Sequence, residues 1–175
     1  MNGHRAAGLV AALLVLAADQ ASKAWIVYGL LLPGRGSIRV SAVLNLTWVE
    51  NRGITFGLLN GLGSLAPVLL TLVALGVVAA LAVWLWRAER VLVAAALGAV
   101  AGGAIGNVID RLRLGYVVDF IHAHVGNLSW YVFNVADAAI VCGVAALVLD
   151  GMFGHKPETD RHDRRDHLAG AQDRR

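Results

Sequence analysis

Apolar residues run along this chain in long blocks broken by short polar segments, and the blocks have the length of membrane spans. Three are plain: residues 65–86, 91–109 and 132–149. A helix rises about 1.5 Å per residue, so about 20 apolar residues cross a hydrocarbon core about 30 Å thick. The first block is less plain. Residues 6–18, behind Arg5, also fit the apolar core of a signal peptide with a small-residue cleavage site after Ala17. Apolar character resumes at Ala24-Trp25-Ile26-Val27-Tyr28 and runs to Leu32, which favours a first span over residues 7–28, interrupted by Asp19 and Lys23.

A different period follows. In residues 38–49, Ile38, Val40, Ala42, Leu44, Leu46 and Trp48 alternate with mostly polar neighbours such as Arg39, Ser41, Asn45 and Thr47. A period of two predicts a half-buried strand, and Asn51-Arg52-Gly53 then reads as a turn. Residues 112–131 join the third and fourth spans. From His155 the chain mixes six Lys/Arg with five Asp/Glu and almost no apolar residues, the composition of a disordered segment. The expected fold class is an all-α membrane protein: four transmembrane helices with a small extracytoplasmic β element between helices 1 and 2. The membrane domain is expected over residues 1–154, with a disordered, charged cytoplasmic tail over 155–175.

Composition agrees. The 175 residues are 58% hydrophobic and 15% charged, where a soluble domain has about 45–50% and about 25%. A single cysteine, Cys142, rules out an intrachain disulfide or a multi-cysteine metal site. In its apolar run it reads as a small buried hydrophobe. The net charge of +3 reports topology before partners, and nucleic-acid binding is not expected. Nine Lys/Arg lie at Arg5, in the 87–90 loop and in the tail, against six at Lys23, Arg35, Arg39, Arg52, Arg111 and Arg113. The excess of basic residues marks the cytoplasmic side, so both termini are expected there.

Against that background the carboxylates Asp19, Asp110, Asp119 and Asp137 need explaining. A charge in a bilayer is costly, and such residues face a cavity or a partner. Asp19 and Lys23 are i, i+4; Asn107, Asp110 and Arg111 are i, i+3, i+4; Asn134 and Asp137 are i, i+3. Each set lies on one helix face. With the termini inside, Asp19, Asp110 and Asp137 all fall in the outer half of the bilayer, and Asp119 follows in the external segment. Gly98, Gly102 and Gly106 form a small-residue ridge that lets another helix approach.

Several readings stay open on the residues alone. Asp19–Lys23 and Asp110–Arg111 are charge pairs that serve structure equally well, and Asn107 and Asn134 could be interhelical hydrogen bonders. Asp119 and Asp137 have no adjacent cation. Two like charges brought together do not both ionise cheaply, which leaves an acid and a base in one site. A proton-coupled transporter is the main rival reading; a scaffold held by the glycine ridge is another.

Five blocks in order carry a resemblance: Asp19-Gln20-Ala21-Ser22-Lys23; Asn51-Arg52-Gly53-Ile54-Thr55-Phe56-Gly57; Gly103-Ala104-Ile105-Gly106-Asn107-Val108-Ile109-Asp110-Arg111; Gly115-Tyr116-Val117-Val118-Asp119-Phe120; and Phe133-Asn134-Val135-Ala136-Asp137. Over residues from about 15 to 150 the chain resembles the lipoprotein signal peptidases (signal peptidase II). The resemblance implies a four-helix intramembrane aspartyl endopeptidase of the bacterial inner membrane. Such an enzyme cuts a prolipoprotein's signal peptide just before its diacylglyceryl-modified cysteine. It makes Asp119 and Asp137 the catalytic dyad, Asn51, Asn107 and Asn134 residues lining the site, and Asp110, Arg111, Asp19 and Lys23 its support. It implies a monomer whose partners are the lipidated prolipoprotein and membrane lipids. No cofactor and no metal are expected, and His122 and His124 are expected to coat the external loop. Two departures stand beside the dyad: Trp130-Tyr131-Val132-Phe133 lacks the proline many members carry there, and Thr55 stands where Ala or Ser is commoner.

Overall fold

The computed structural model describes residues 2–53, 65–126 and 128–153. Helix α1 (Gly3–Ala24) continues through a π-helical turn, Trp25–Gly29, without a break at Asp19 or Lys23. A short helix α2 (Leu32–Arg35) and strands β1 (Ser37–Arg39) and β2 (Leu44–Asn51) follow. Then come α3 (Leu65–Arg87), α4 (Val91–Leu114), β3 (Val117–Val125), β4 (Leu128–Ser129) and α5 (Val135–Phe153). Among the described residues, four helices are long and apolar enough to cross a membrane: Gly3–Gly29, Leu65–Arg87, Val91–Leu114 and Val135–Phe153.

The surface is inverted relative to a soluble protein. Leu13 and Leu14 are each 65% exposed and Val141 67%, while Asp19 and Asn134 are fully buried. Apolar side chains facing outward beside buried charges need an apolar solvent, which a bilayer provides. The expectation that Cys142 is buried fails for the same reason: it is exposed, because in a spanning helix an apolar run marks the lipid face as readily as the core.

Helix α4 is the hub, packed against α1, α3 and α5. Its glycine ridge permits this. A Cβ at Gly98 would collide with the Gly8 backbone, one at Gly102 with the Ala12 backbone, and one at Gly106 with the Asp19 carboxylate. Helix α4 runs past the expected end at residue 109 and stops at Gly115, whose left-handed φ of 81° lets its N–H close on Arg111 O. At one end of the bundle Arg5 donates to Trp86 O at 2.9 Å and Arg90 pairs with Asp150 at 2.6 Å.

The opposite end carries one antiparallel sheet in the order β1-β2-β3-β4. The expected β element between the first two spans is therefore half of the sheet. Strands β3 and β4 come from residues 117–129, whose apolar-rich, poorly alternating start (Val117, Val118, Phe120) hides a strand buried on both faces. The alternation over 38–49 also crosses a turn, since β1 and β2 are separate strands. A register shift between Leu46 and Val49 marks an irregularity in β2, beyond which Val49 pairs with Asp119 and Asn51 with Val117. Under the sheet, Ile26, Leu32, Val118 and Phe120 form an apolar core. The predicted tail over 155–175, and residues 54–57 of the second block with Thr55, lie outside the described residues.

Candidate active site

The polar residues singled out in the sequence meet at the sheet end of the bundle. Asn134 is the N-cap of α5, and its Oδ1 accepts the backbone N–H of Asp137 at 2.9 Å. Asp137 Oδ2 accepts the Asn134 backbone N–H in return, at 3.2 Å. This reciprocal pairing has the form of a capping box, with Asp at the third helical position. The Asn134 amide then turns outward, and its Nδ2 donates to Asp119 Oδ1 at 2.7 Å. One residue thus holds both carboxylates, the strand carboxylate by its side-chain amide and the helix carboxylate by its backbone N–H.

Each carboxylate has a second amide. Asn51 Nδ2 donates to Asp119 Oδ2 at 2.8 Å, while Asn51 Oδ1 accepts Gly53 N–H at 2.8 Å. Asn51 therefore ends β2 and also shapes the following turn, where Gly53 has a φ of 76°. Asn107 Nδ2 donates to Asp137 Oδ1 at 2.9 Å. Asp119 is 1% exposed. Burial pushes its carboxyl up to about 6, against the pull of the Asn51 hydrogen bond, and the charge of Asp137 adds to the rise. Asp119 lines an open cleft of about 560 Å³ with Asn51, His122, Trp130 and Val132.

Behind the two carboxylates lies a buried ion cluster. Lys23 reaches Asp19 Oδ2 and Asp110 Oδ2 at 2.8 Å each, and Asn107 Oδ1 at 3.1 Å. The expected Asp19–Lys23 pair is present. The expected Asp110–Arg111 pair is not: Asp110 turns to Lys23 and to Val118 N–H at 3.1 Å, whereas among the described residues Arg111 donates to Asn107 O at 3.4 Å. Neighbours on a helix point about 100° apart, so residues i and i+1 do not share a face. Sequence reasoning gave no role to Gln20, which donates to Asp110 Oδ1 at 3.1 Å. It also missed the end of α5 as a partner: Asp19 Oδ1 accepts Ala136 N–H at 3.1 Å, holding a negative charge at a helix N-terminus. His122 and His124 sit on β3, where His122 meets Thr47 and Ser129.

Two carboxylates held by one residue, Asn134, one of them shifted toward the protonated form, can share acid and base duties toward a water molecule. The family model described as signal peptidase (SPase) II matches residues 11–153. A lipoprotein signal peptidase from Methylorubrum extorquens (strain PA1) is 49% identical over 145 residues, covering 83% of this chain and 85% of that protein. One from Beijerinckia indica is 40% identical over 163 residues, covering 90% and 98%. A bacterial membrane enzyme solved by the in meso method at 2.3 Å resolution superposes with a TM-score of 0.71 at 26% identity, covering 88% of this chain and 94% of that one. Sequence and fold agree over most of the chain, and the chain belongs to the signal peptidase II family of aspartic-type peptidases.

Proposed function

We propose that this bacterial multi-pass membrane protein removes the signal peptide from diacylglyceryl-modified prolipoproteins, cutting before the lipidated cysteine, with Asp119 and Asp137 as the catalytic pair. The observation that carries the assignment is Asn134, which donates to both carboxylates at once, from its side-chain Nδ2 to Asp119 and from its backbone N–H to Asp137. Asp137 accepts two N–H hydrogen bonds at the start of α5, where negative charge is favoured. It takes a proton from water as the water oxygen attacks the scissile carbonyl. Asp119, kept protonated into mildly acidic pH by burial, donates to the carbonyl oxygen as negative charge develops there. The proton on Asp137 then passes to the leaving nitrogen, the C–N bond breaks, and a hydroxyl proton of the tetrahedral intermediate returns to Asp119. Substrate in the cleft excludes water and extends the protonated range of Asp119 upward.

Placement follows the charges. Arg5, Arg87 and Arg90 gather at the end away from the sheet, which supports cytoplasmic termini and an extracytoplasmic sheet. The catalytic pair then lies near the outer leaflet, where a cysteine can present its peptide bond while its acyl chains stay in lipid. Asn51, Asn107 and Asn134 line the site, and Asp19, Lys23, Asp110 and Arg111 support it. The working unit is a monomer comprising residues 1–154. The test of substrate class is cleavage by the purified protein of a diacylglyceryl-modified prolipoprotein beside its unlipidated form. The expected result is a product beginning at the lipidated cysteine, from the modified substrate alone. Equal cleavage of both forms would remove the lipid from the proposal.

A further inference from the structure

Lys23 has no step in the chemistry above, yet it is 4% exposed and makes three short contacts. An ammonium has three donors and no acceptor, so Asp19, Asp110 and Asn107 use it up. Two carboxylates are enough to hold a buried cation. The third contact points into the site.

A side-chain amide can be turned either way, and only its partners decide which. At Asn107 two donors converge on one atom: Lys23 Nζ at 3.1 Å and Asn134 Nδ2 at 3.2 Å. Asn134 is itself fixed, because the Asp137 N–H donates to its Oδ1. The shared atom is therefore the Asn107 oxygen, which leaves Nδ2 facing Asp137 Oδ1 at 2.9 Å.

We propose that Lys23 is a positioning residue: acting through Asn107, it keeps an amide N–H rather than an amide oxygen against Asp137, holding that carboxylate ready to accept the proton of water. The inference rests on the catalytic pair proposed above. Without the ammonium, the Asn107 oxygen loses the shorter of its two donors and keeps the 3.2 Å contact of Asn134 Nδ2, which is shared with Asp119. An amide that then turns aims an oxygen at Asp137 and opposes negative charge there. The charged groups facing this point are Asp119 from β3, Asp19 and Lys23 from α1, and Asp110 and Arg111 from α4. Removing Lys23 alters charge as well as orientation, so the test separates the two.

Lys23→Met removes the ammonium. Lys23→Met/Asp110→Asn removes it while restoring the net charge of the buried cluster, and remains informative if the single variant fails to fold. Both are measured as full-length protein in detergent, in wild-type and Asn107→Ala backgrounds, with kcat and KM followed against pH on lipidated prolipoprotein. The expected loss is in kcat, about 10- to 100-fold, with the acid limb of kcat/KM displaced upward by about one pH unit. In the Asn107→Ala background the same changes cost less than about twofold, because coupled residues are not additive. A purely structural lysine would lower the folded fraction and leave the limb in place. An unmoved limb in folded variants, or equal losses in both backgrounds, would overturn the inference. Asp137→Asn run alongside keeps the two readings apart: turnover by that variant removes the catalytic pair itself, whereas its inactivity with uncoupled Lys23 variants removes only the role of Lys23.

Discussion

Asn134 and Asp137 cap each other at the start of α5: the Asn134 side-chain oxygen takes the Asp137 N–H at 2.9 Å, and the Asp137 carboxylate takes the Asn134 N–H at 3.2 Å. A helix cap has thereby become part of the site, because the side-chain Nδ2 of Asn134, which the cap does not use, donates to Asp119 at 2.7 Å. Asn134→Ala should cost about 1 kcal/mol as a lost cap and, on folded protein, about 10² in kcat. Thermal unfolding and single-turnover cleavage measure the two separately. A kcat near wild type would show that Asn134 serves the helix alone.

Asp19 links three elements, since it pairs with Lys23 on its own helix, accepts Ala136 N–H from α5 and fills the space left by Gly106 of α4. Asp19→Ala leaves a buried ammonium with one carboxylate and a helix end with an unmet donor. The expected destabilisation is about 3–5 kcal/mol, typical of a broken buried pair, read as the unfolding transition in detergent. A loss below about 1 kcal/mol would place the pair among weakly coupled surface contacts.

Gly102 faces the Ala12 backbone, which has no side chain to move aside. Gly102→Leu should force α1 from α4, destabilise the protein by about 1–3 kcal/mol or more, and separate Lys23 from Asn107. Gly76, whose Cβ would meet nothing within 4 Å, supplies the control: Gly76→Leu should be tolerated. Similar unfolding temperatures for the two variants would contradict this packing.

Asp119 carries a stability cost with a definite sign. Its carboxyl titrates at about 6 in the fold against an ordinary value of 3.8, so the folded state holds this proton more tightly than the unfolded chain does. The stability it contributes is intact below about pH 4 and is lost as pH rises to about 6. A shift of about two pH units corresponds to about 3 kcal/mol. The stability difference between wild type and Asp119→Asn should therefore move by about that amount, against wild type, between pH 4 and pH 7, and stay level above. A gap constant with pH would contradict the burial of this charge.

The spans were legible because membrane crossing demands long apolar runs, and their polar residues were legible because helical spacing puts them on single faces. Both place Asp19, Lys23, Asn107, Asn134 and Asp137 in one group from the sequence alone. Strand β3 was not legible. Buried on both faces at its start, it lacks the alternation that exposed 38–49, so Asp119 read as a loop residue. Pairing choices were also hidden. Lys23 selects Asp110 from across the bundle, a contact set by how closely the glycine ridge lets α1 and α4 approach. Cys142 shows the reverse failure, in which an apolar neighbourhood in sequence meant lipid and not core.

The central claim is that Asp119 and Asp137 together perform the cleavage. Asp119→Asn and Asp137→Asn, each purified in detergent and checked for folding, would be mixed with diacylglyceryl-modified prolipoprotein and the products read by mass spectrometry. The account predicts that wild type releases a product beginning at the lipidated cysteine and that neither folded variant does. Wild-type turnover by either one would contradict it.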